Sequence, residues 1–428
     1  VRALALTLAL AATAALAQDV SPEEGEPQEG FTPDEQQAHE TLRLTGYVDV
    51  GFVRAEGNGS SFAPHDTRTP LDYGVDPFAP AVNSRGEVAS IDSAGRFTNG
   101  FLPRSVGVGS TPSFLLNTVS ADLRVQPASW PVFVFVRAQV MPRLLPTGDQ
   151  TRFELQQAFG RLSPLKNAEF ALSLGRFDSV FGIEYLENEA NLRLGITPSL
   201  TARYTTGHGL GLKAFYRVQL PALWSAFSLN LAATNNGARI EALVPVDASL
   251  VGVPVGTGRL GYELNLQHVQ AKVGLSGLYG PRNDQRAPQA LQKAFGVDLR
   301  VNVAGLSLAG EFVRLRDDSS PVAGKVTGVR LAELASGFDV WGGWGRVGWT
   351  LPWRGAVLTG ASLAVRYDRR EAQFEHATWV RTDRFTASVR LDFFELVALK
   401  AEYLINRELT GAPNVDNNVF TSSAVFTW

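Results

Sequence analysis

The sequence predicts an all-β fold: a transmembrane antiparallel up-and-down β-barrel of about 16 strands, with roughly 14–18 compatible with the pattern. Three observations predict it. From Thr41 onward, apolar residues recur with a period of two rather than 3.6. The face opposite the apolar one repeatedly carries Arg, Asp, Gln and Lys on long segments. The connections between segments alternate between long and short.

Composition narrows the field first. The 428 residues are 45% hydrophobic and 19% charged, with 41 Gly, 23 Pro and no Cys. Disulfide scaffolds, thiolate metal sites and thiol catalysis are therefore excluded. Mean hydropathy is −0.02, too polar for a helical membrane bundle. Beyond residue 17 no run of 18 apolar residues occurs, so no spanning helix is expected.

Residues 1–17, VRALALTLALAATAALA, pair one basic residue with a short small-and-apolar run ending in Ala15-Leu16-Ala17. This has the form of a removed signal peptide, which implies export; a buried core helix is the other reading. Residues 18–40 hold eight acidic residues and no Lys or Arg, amid Pro, Gln and Gly. They read as an acidic, disordered periplasmic tail. The body, 41–428, carries 38 basic and 34 acidic residues, too weak and dispersed a balance for a nucleic-acid partner.

Within the body, Leu42, Leu44, Gly46, Val48 and Val50 alternate with Arg43, Thr45, Tyr47 and Asp49. The same alternation marks segments near 113–126, 132–141, 151–163, 169–177, 203–219, 225–235, 258–268 and 271–280. It continues near 292–303, 306–316, 338–351, 356–369, 378–393, 396–406 and 417–428. Connections such as 55–112, 142–150, 178–202 and 236–257 are long. Those at Pro127–Pro131, Pro164–Ala168, Ala304-Gly305 and Pro352–Gly355 are tight. Long external loops and short periplasmic turns would sort in this way. In a bilayer every backbone N–H and C=O must find a partner in the protein, so the sheet must close on itself. A ring this wide holds water, which explains its polar face.

The chain ends on an alternating strand whose Phe420, Ala424, Phe426 and Trp428 share one face, with an aromatic as the last residue. Tyr204, Trp224, Tyr279, Trp353, Tyr367, Trp379 and Tyr403 fall near strand ends, where interfacial aromatic girdles are expected.

On the leader, the first strand Leu44-Thr45-Gly46-Tyr47-Val48-Asp49, and the aromatic terminus Phe426 and Trp428, the chain resembles a Gram-negative outer-membrane porin. The passage from Ser173 to Glu184, SLGRFDSVFGIE, is similar to the strand-to-loop passage of phosphate-selective-type and OmpL-like single-chain porins. The resemblance implies an outer-membrane location, small polar solutes or ions as cargo, and a homotrimer. It also implies that the third external loop folds inward.

By count, that constriction loop is 178–202, with Asp178, Glu184, Glu187 and Glu189. Strand parity directs Arg43, Arg124, Arg137, Arg176, Arg217, Arg259, Arg300, Arg366, Arg384 and Arg390 toward the lumen. Acids facing arginines would set a transverse field that favours small polar solutes, and the lumenal arginines would give a mild anion preference. Alternatively these charges pair with one another in a wide lumen. Loop 55–112 is long and mixed in charge; it reads as a pore cap, a contact with a neighbouring subunit, or a disordered surface loop.

No enzyme is read here. The five His form no metal spacing, no serine is convincingly placed beside one, and no metal or other cofactor is implied. The expected function is passive diffusion of small hydrophilic solutes. The alternative is a non-transport barrel acting as an adhesin or structural anchor through loop 55–112.

Overall fold

The computed structural model describes residues 42–55, 88–91, 97–102, 113–127, 131–141, 152–164, 170–220, 223–235, 253–281, 290–318, 338–351, 355–374, 380–410 and 418–428. The leader 1–17 and the tail 18–40 lie outside them, as do Trp353 and Trp379.

The strands are β1 (Leu42–Ala55), β2 (Val88–Ile91), β3 (Phe97–Leu102), β4 (Ser113–Val125), β5 (Val132–Met141) and β6 (Arg152–Leu162). They continue with β7 (Phe170–Asp178), β8 (His208–Leu220), β9 (Ser225–Thr234), β10 (Val255–Leu266), β11 (Val269–Pro281) and β12 (Leu291–Val303). The last are β13 (Leu306–Asp317), β14 (Phe338–Leu351), β15 (Leu358–Phe374), β16 (Val380–Phe393), β17 (Val397–Thr410) and β18 (Val419–Thr427). All but β2 and β3 form one closed barrel in which each strand pairs antiparallel with its neighbour, β1 meeting both β4 and β18. This is the expected all-β, sixteen-stranded ring.

Alternation decides which side chain goes where. On β9, Phe227, Leu229 and Leu231 point outward and are exposed, while Ser228, Asn230 and Thr234 are buried inward. On β13, Leu306, Leu308 and Phe312 face out; Glu311 and Asp317 face in. Outward Leu and Phe recur around the ring. Each large apolar side chain left in water forgoes about 1.5–3 kcal/mol, so a continuous outer band of them belongs against a non-aqueous medium. The tight turns fit as well. Ala304 and Gly305 both take positive φ between β12 and β13, and Phe394 and Glu395 do so between β16 and β17. Paired left-handed residues match the twist of a hairpin.

Three expectations change. The connection 55–112 contains a two-stranded antiparallel sheet, β2 with β3. The sixth barrel strand starts at His208 rather than 203, because Ala202–Thr205 forms a helical turn, α1. Ser199 Oγ accepts the Thr201 and Ala202 amides at 3.2 and 3.0 Å, which starts that turn. Tyr204, expected in an interfacial girdle, is 7% exposed inside the barrel, where Arg370 donates to its hydroxyl at 2.8 Å. Trp224, Tyr279, Tyr367 and Tyr403 are exposed, as girdle residues should be.

Candidate functional site

The connection between β7 and β8 turns into the barrel. Its neck is closed by the Asp178–His208 register pair and by Ser179 N–H donating to the Gly207 carbonyl at 2.7 Å. His208 Nε2 lies 3.0 Å from an Asp178 carboxylate oxygen. Beyond the neck, Phe181 packs over Gly296 of β12, where a Cβ would overlap its ring. Gly182 follows with φ +70°, and a side chain there would collide with Glu311. Its amide donates to Ser276 Oγ at 2.9 Å, and the Ile183 amide donates to Glu311 at 3.0 Å.

The next residues form a 3₁₀ turn, Glu184–Glu187. The Glu184 carboxylate accepts from the Ser199 amide at 2.6 Å and from the Ser199 hydroxyl. Burial pushes the Glu184 carboxyl up, against the opposing pull of Arg366 and of the Ser199 bonds. Glu187 is gripped by two wall arginines: Arg300 at 2.7 Å, and Arg346 with both terminal nitrogens at 2.6 and 2.8 Å. Burial works against ionising Glu187, but Arg346, then Arg300 and Arg193, outweigh it and hold the carboxyl well below the usual carboxylate range.

Two residues on, Glu189 reaches a different wall. It accepts from Tyr47 Oη at 2.6 Å and from Gln139 at 2.6 Å, and it pairs with Arg137 at 3.0 Å. Arg137 also forks onto Asp122. β12 and β14 hold Glu187, whereas β1 and β5 hold Glu189. In the closed order β1 and β12 are seven steps apart, close to opposite each other around the ring. The loop therefore bridges the lumen, with Glu187 at the end of the 3₁₀ turn and Glu189 two residues on held by facing walls.

The remaining anchors come from β15–β17 and grip backbone. Arg390 donates to the Asn191 and Arg193 carbonyls at 2.9 and 3.1 Å. Lys400 donates to the carbonyls of Ala190, Arg193 and Gly195. Arg366 reaches the Thr197 and Pro198 carbonyls, and Arg384 reaches Pro198 as well. Glu402 accepts the Thr197 amide and hydroxyl, both at 2.8 Å, and Asp368 accepts the Leu200 amide. Charged groups suit this task because a bond between an ion and a peptide group is stronger than one between neutral groups.

The expected arginines thus divide. Arg137 and Arg300 bind loop carboxylates, while Arg366, Arg384 and Arg390 bind loop carbonyls. Arg259 forks onto Asp298 at 3.0 and 2.6 Å across Gly274 of the intervening strand, where a Cβ would overlap both groups. Arg217 pairs with Glu263 at 2.9 Å. Arg43 and Arg124 are register partners on the lumen side. Arg124 and Arg161 lie 4.8 and 4.6 Å from the Phe133 ring.

Arg176 is a correction. It shares a face with Leu174, which is 69% exposed, and it pairs with outward Leu210; its guanidinium donates to the Gln156 carbonyl at 2.9 Å. The inward residue is Phe177, one of a buried lumenal cluster with Phe133, Phe135 and Phe159. An apolar residue on this wall does not imply lipid, and reading it that way inverted the parity. Phe426 and Trp428 point outward. The expected field across a gap also gives way to direct ion pairs at Glu187 and Glu189.

Sequence reading missed Arg346, Lys400, Glu311 and Glu402. Alternation could have found Arg346, the one charge between Asp339 and Leu351 on a glycine-rich strand. Nothing in the sequence indicates which carbonyls Lys400 reaches.

The ring, its polar inner face and its inward loop define a sixteen-stranded antiparallel barrel resembling outer-membrane porins. No protein-family model matches the chain, and no curated protein matches it. Among solved structures it is similar to the outer membrane channel DcaP of Acinetobacter baumannii, at 11% identity and a TM-score of 0.50 over 90% of this chain and 97% of that one. It is likewise similar to an anion-selective porin from Comamonas acidovorans, at 10% identity and a TM-score of 0.50 over 90% of this chain and 99% of that one. At these identities the likeness is one of fold.

Proposed function

We propose that the chain forms a water-filled channel in the outer membrane of a Gram-negative bacterium, through which small hydrophilic solutes and ions diffuse. A signal peptide at 1–17 would direct its export. The observation that carries the proposal is the inside-out alternation around a closed ring: Leu and Phe outside, Arg, Asp, Glu and Gln inside. A wall of ionisable groups needs water, and a closed ring supplies the column. Lumenal arginines support a mild anion preference. The homotrimer implied by the sequence resemblance belongs to this reading.

The test is reconstitution of purified, folded protein into planar bilayers. Step conductances with a reversal potential toward chloride are expected. Folded protein that never conducts would reject the channel, and a potential toward potassium would reject the anion preference.

A second reading, a non-transport anchor or adhesin, is favoured by one feature. The loop is held on facing walls at Glu187 and Glu189, as a plug would be. It predicts no conductance, and a loss of surface attachment when loop 55–112 is shortened.

A further inference from the structure

On the outer surface of β13–β16 an aromatic side chain sits beneath a charge on four successive strands. Phe312 lies two residues below Arg314, Trp341 below Asp339, Tyr367 below Arg369, and Phe385 below Asp383. The charges alternate in sign and pair between neighbours. Arg314 forks onto Asp339 at 3.4 and 2.9 Å, and Arg369 forks onto Asp383 with both bonds at 2.9 Å.

An outward cavity of about 420 Å³ opens among Phe312, Arg314, Asp339, Trp341 and Gln373. Below it the wall is thin. Gly310 and Gly345 are register partners, and the space above Gly345 is open. Exposed Arg316 stands beside Asp339 and, among the described residues, makes no ion pair.

We propose that this cavity binds the phosphorylated headgroup of an anionic membrane lipid, with an acyl chain lying along the Gly310–Gly345 gap. The inference rests on the membrane reading above and adds a lipid site to it. An arginine facing hydrocarbon is costly at mid-bilayer and nearly free near the interface, so these charges mark the headgroup level. Aromatic rings favour that same boundary. Arg314 and Asp339 line the cavity as a pair, Glu371 beside Trp341 is met by Arg381 at 3.5 Å, and Arg316 next to Asp339 leaves one positive charge in excess. A guanidinium offers a phosphate two parallel donors. Asp339 holds Arg314 in place while leaving nitrogens for the ligand. The glycine gap gives a chain a slot where the rest of the face presents side chains. By contrast, the outward positions at the external ends of β9–β11 are Ala233, Gly256 and Tyr279, which carry no charge.

The test uses full-length protein folded in detergent, with native mass spectrometry against a phosphorylated diacyl glycolipid and its dephosphorylated form. Co-flotation with phosphatidylcholine vesicles is measured in parallel. The proposal expects retention of the phosphorylated lipid alone, reduced roughly tenfold in an R314Q/R316Q variant that still co-floats. A G345L variant, which fills the slot, should weaken lipid binding without removing an arginine. Equal retention of both lipids, or unchanged binding by both variants, overturns the site while the membrane reading stands. Failure of the wild-type protein to co-float overturns both.

Discussion

Trp428 closes the ring on Gly46: each backbone donates to the other's carbonyl, at 3.2 and 3.1 Å, and the indole occupies the place a Gly46 side chain would need. Trp428 is thereby one of the residues that seal β18 to β1. The Trp428 indole is a closure device as well as a girdle residue.

Gly46→Val should therefore weaken closure. A Cβ at Gly46 would overlap both the Trp428 ring and the Ser120 carbonyl. Overpacking of this kind costs about 1–3 kcal/mol. The expected outcome is a lower urea midpoint and slower appearance of the compact, heat-modifiable band in refolding. Deleting Trp428 should act in the same direction through loss of two backbone hydrogen bonds, worth about 1 kcal/mol each.

Glu187→Gln should turn a neutralised clamp into a basic patch. Arg346 spends both terminal nitrogens on this carboxylate and Arg300 spends one, and both side chains are only part-buried. Removing the charge leaves two guanidiniums facing the lumen, at a cost to loop docking of about 2 kcal/mol after allowance for solvent screening. The reversal potential should move further toward chloride. A shift toward potassium would contradict the placement of these arginines.

Much of the ring was legible because a two-residue period and loop length are local signals. β14, for example, matches its expected bounds of 338–351 to the residue. The charge-bearing loop was legible from Asp178, Glu184, Glu187 and Glu189 standing together after the fifth strand. Its partners were not. Lys400 meets Ala190 across 210 positions, and no periodicity encodes so distant a bond. Arg176 failed for another reason. Parity assumes that apolar means outside, and Phe177 breaks that rule by joining an aromatic cluster within the lumen. Tyr204 failed similarly, because an aromatic near a strand end can serve a loop hydrogen bond as readily as a membrane interface.

Acid should release the loop late. The folded pKa of Glu187 lies below its unfolded value. Its contribution is therefore present above the ordinary carboxylate range, near about 4.3, and is lost as pH falls through the lower folded value. Glu184 shifts the other way. Its contribution is fully present below that range and is lost as pH rises through the folded value. Between about pH 8 and 5 the Glu187 clamp stays intact, so this contact adds no step to the conductance there. A sharp change should come only in stronger acid, and E187Q should lack that acid limb. A wild-type transition near neutral pH would show that Glu187 is not the controlling group.

Lys400→Met should loosen the loop while sparing the ring. The ammonium gathers three loop carbonyls, those of Ala190, Arg193 and Gly195, and Arg390 supports two of the same region. Methionine keeps much of the length and none of the donors, so those carbonyls lose their strongest partner. Buried acceptors without donors cost about 1–3 kcal/mol each unless water replaces the lost bond. A lumen that admits water offers that replacement, so the loop should detach locally rather than the barrel unfold. Faster proteolysis within 190–198 and noisier single-channel current are expected, with an unchanged strand signal in circular dichroism. If cleavage rates and current noise match the wild type, the loop is held by its carboxylate clamps at Glu187 and Glu189, and the carbonyl grip of β15–β17 is dispensable.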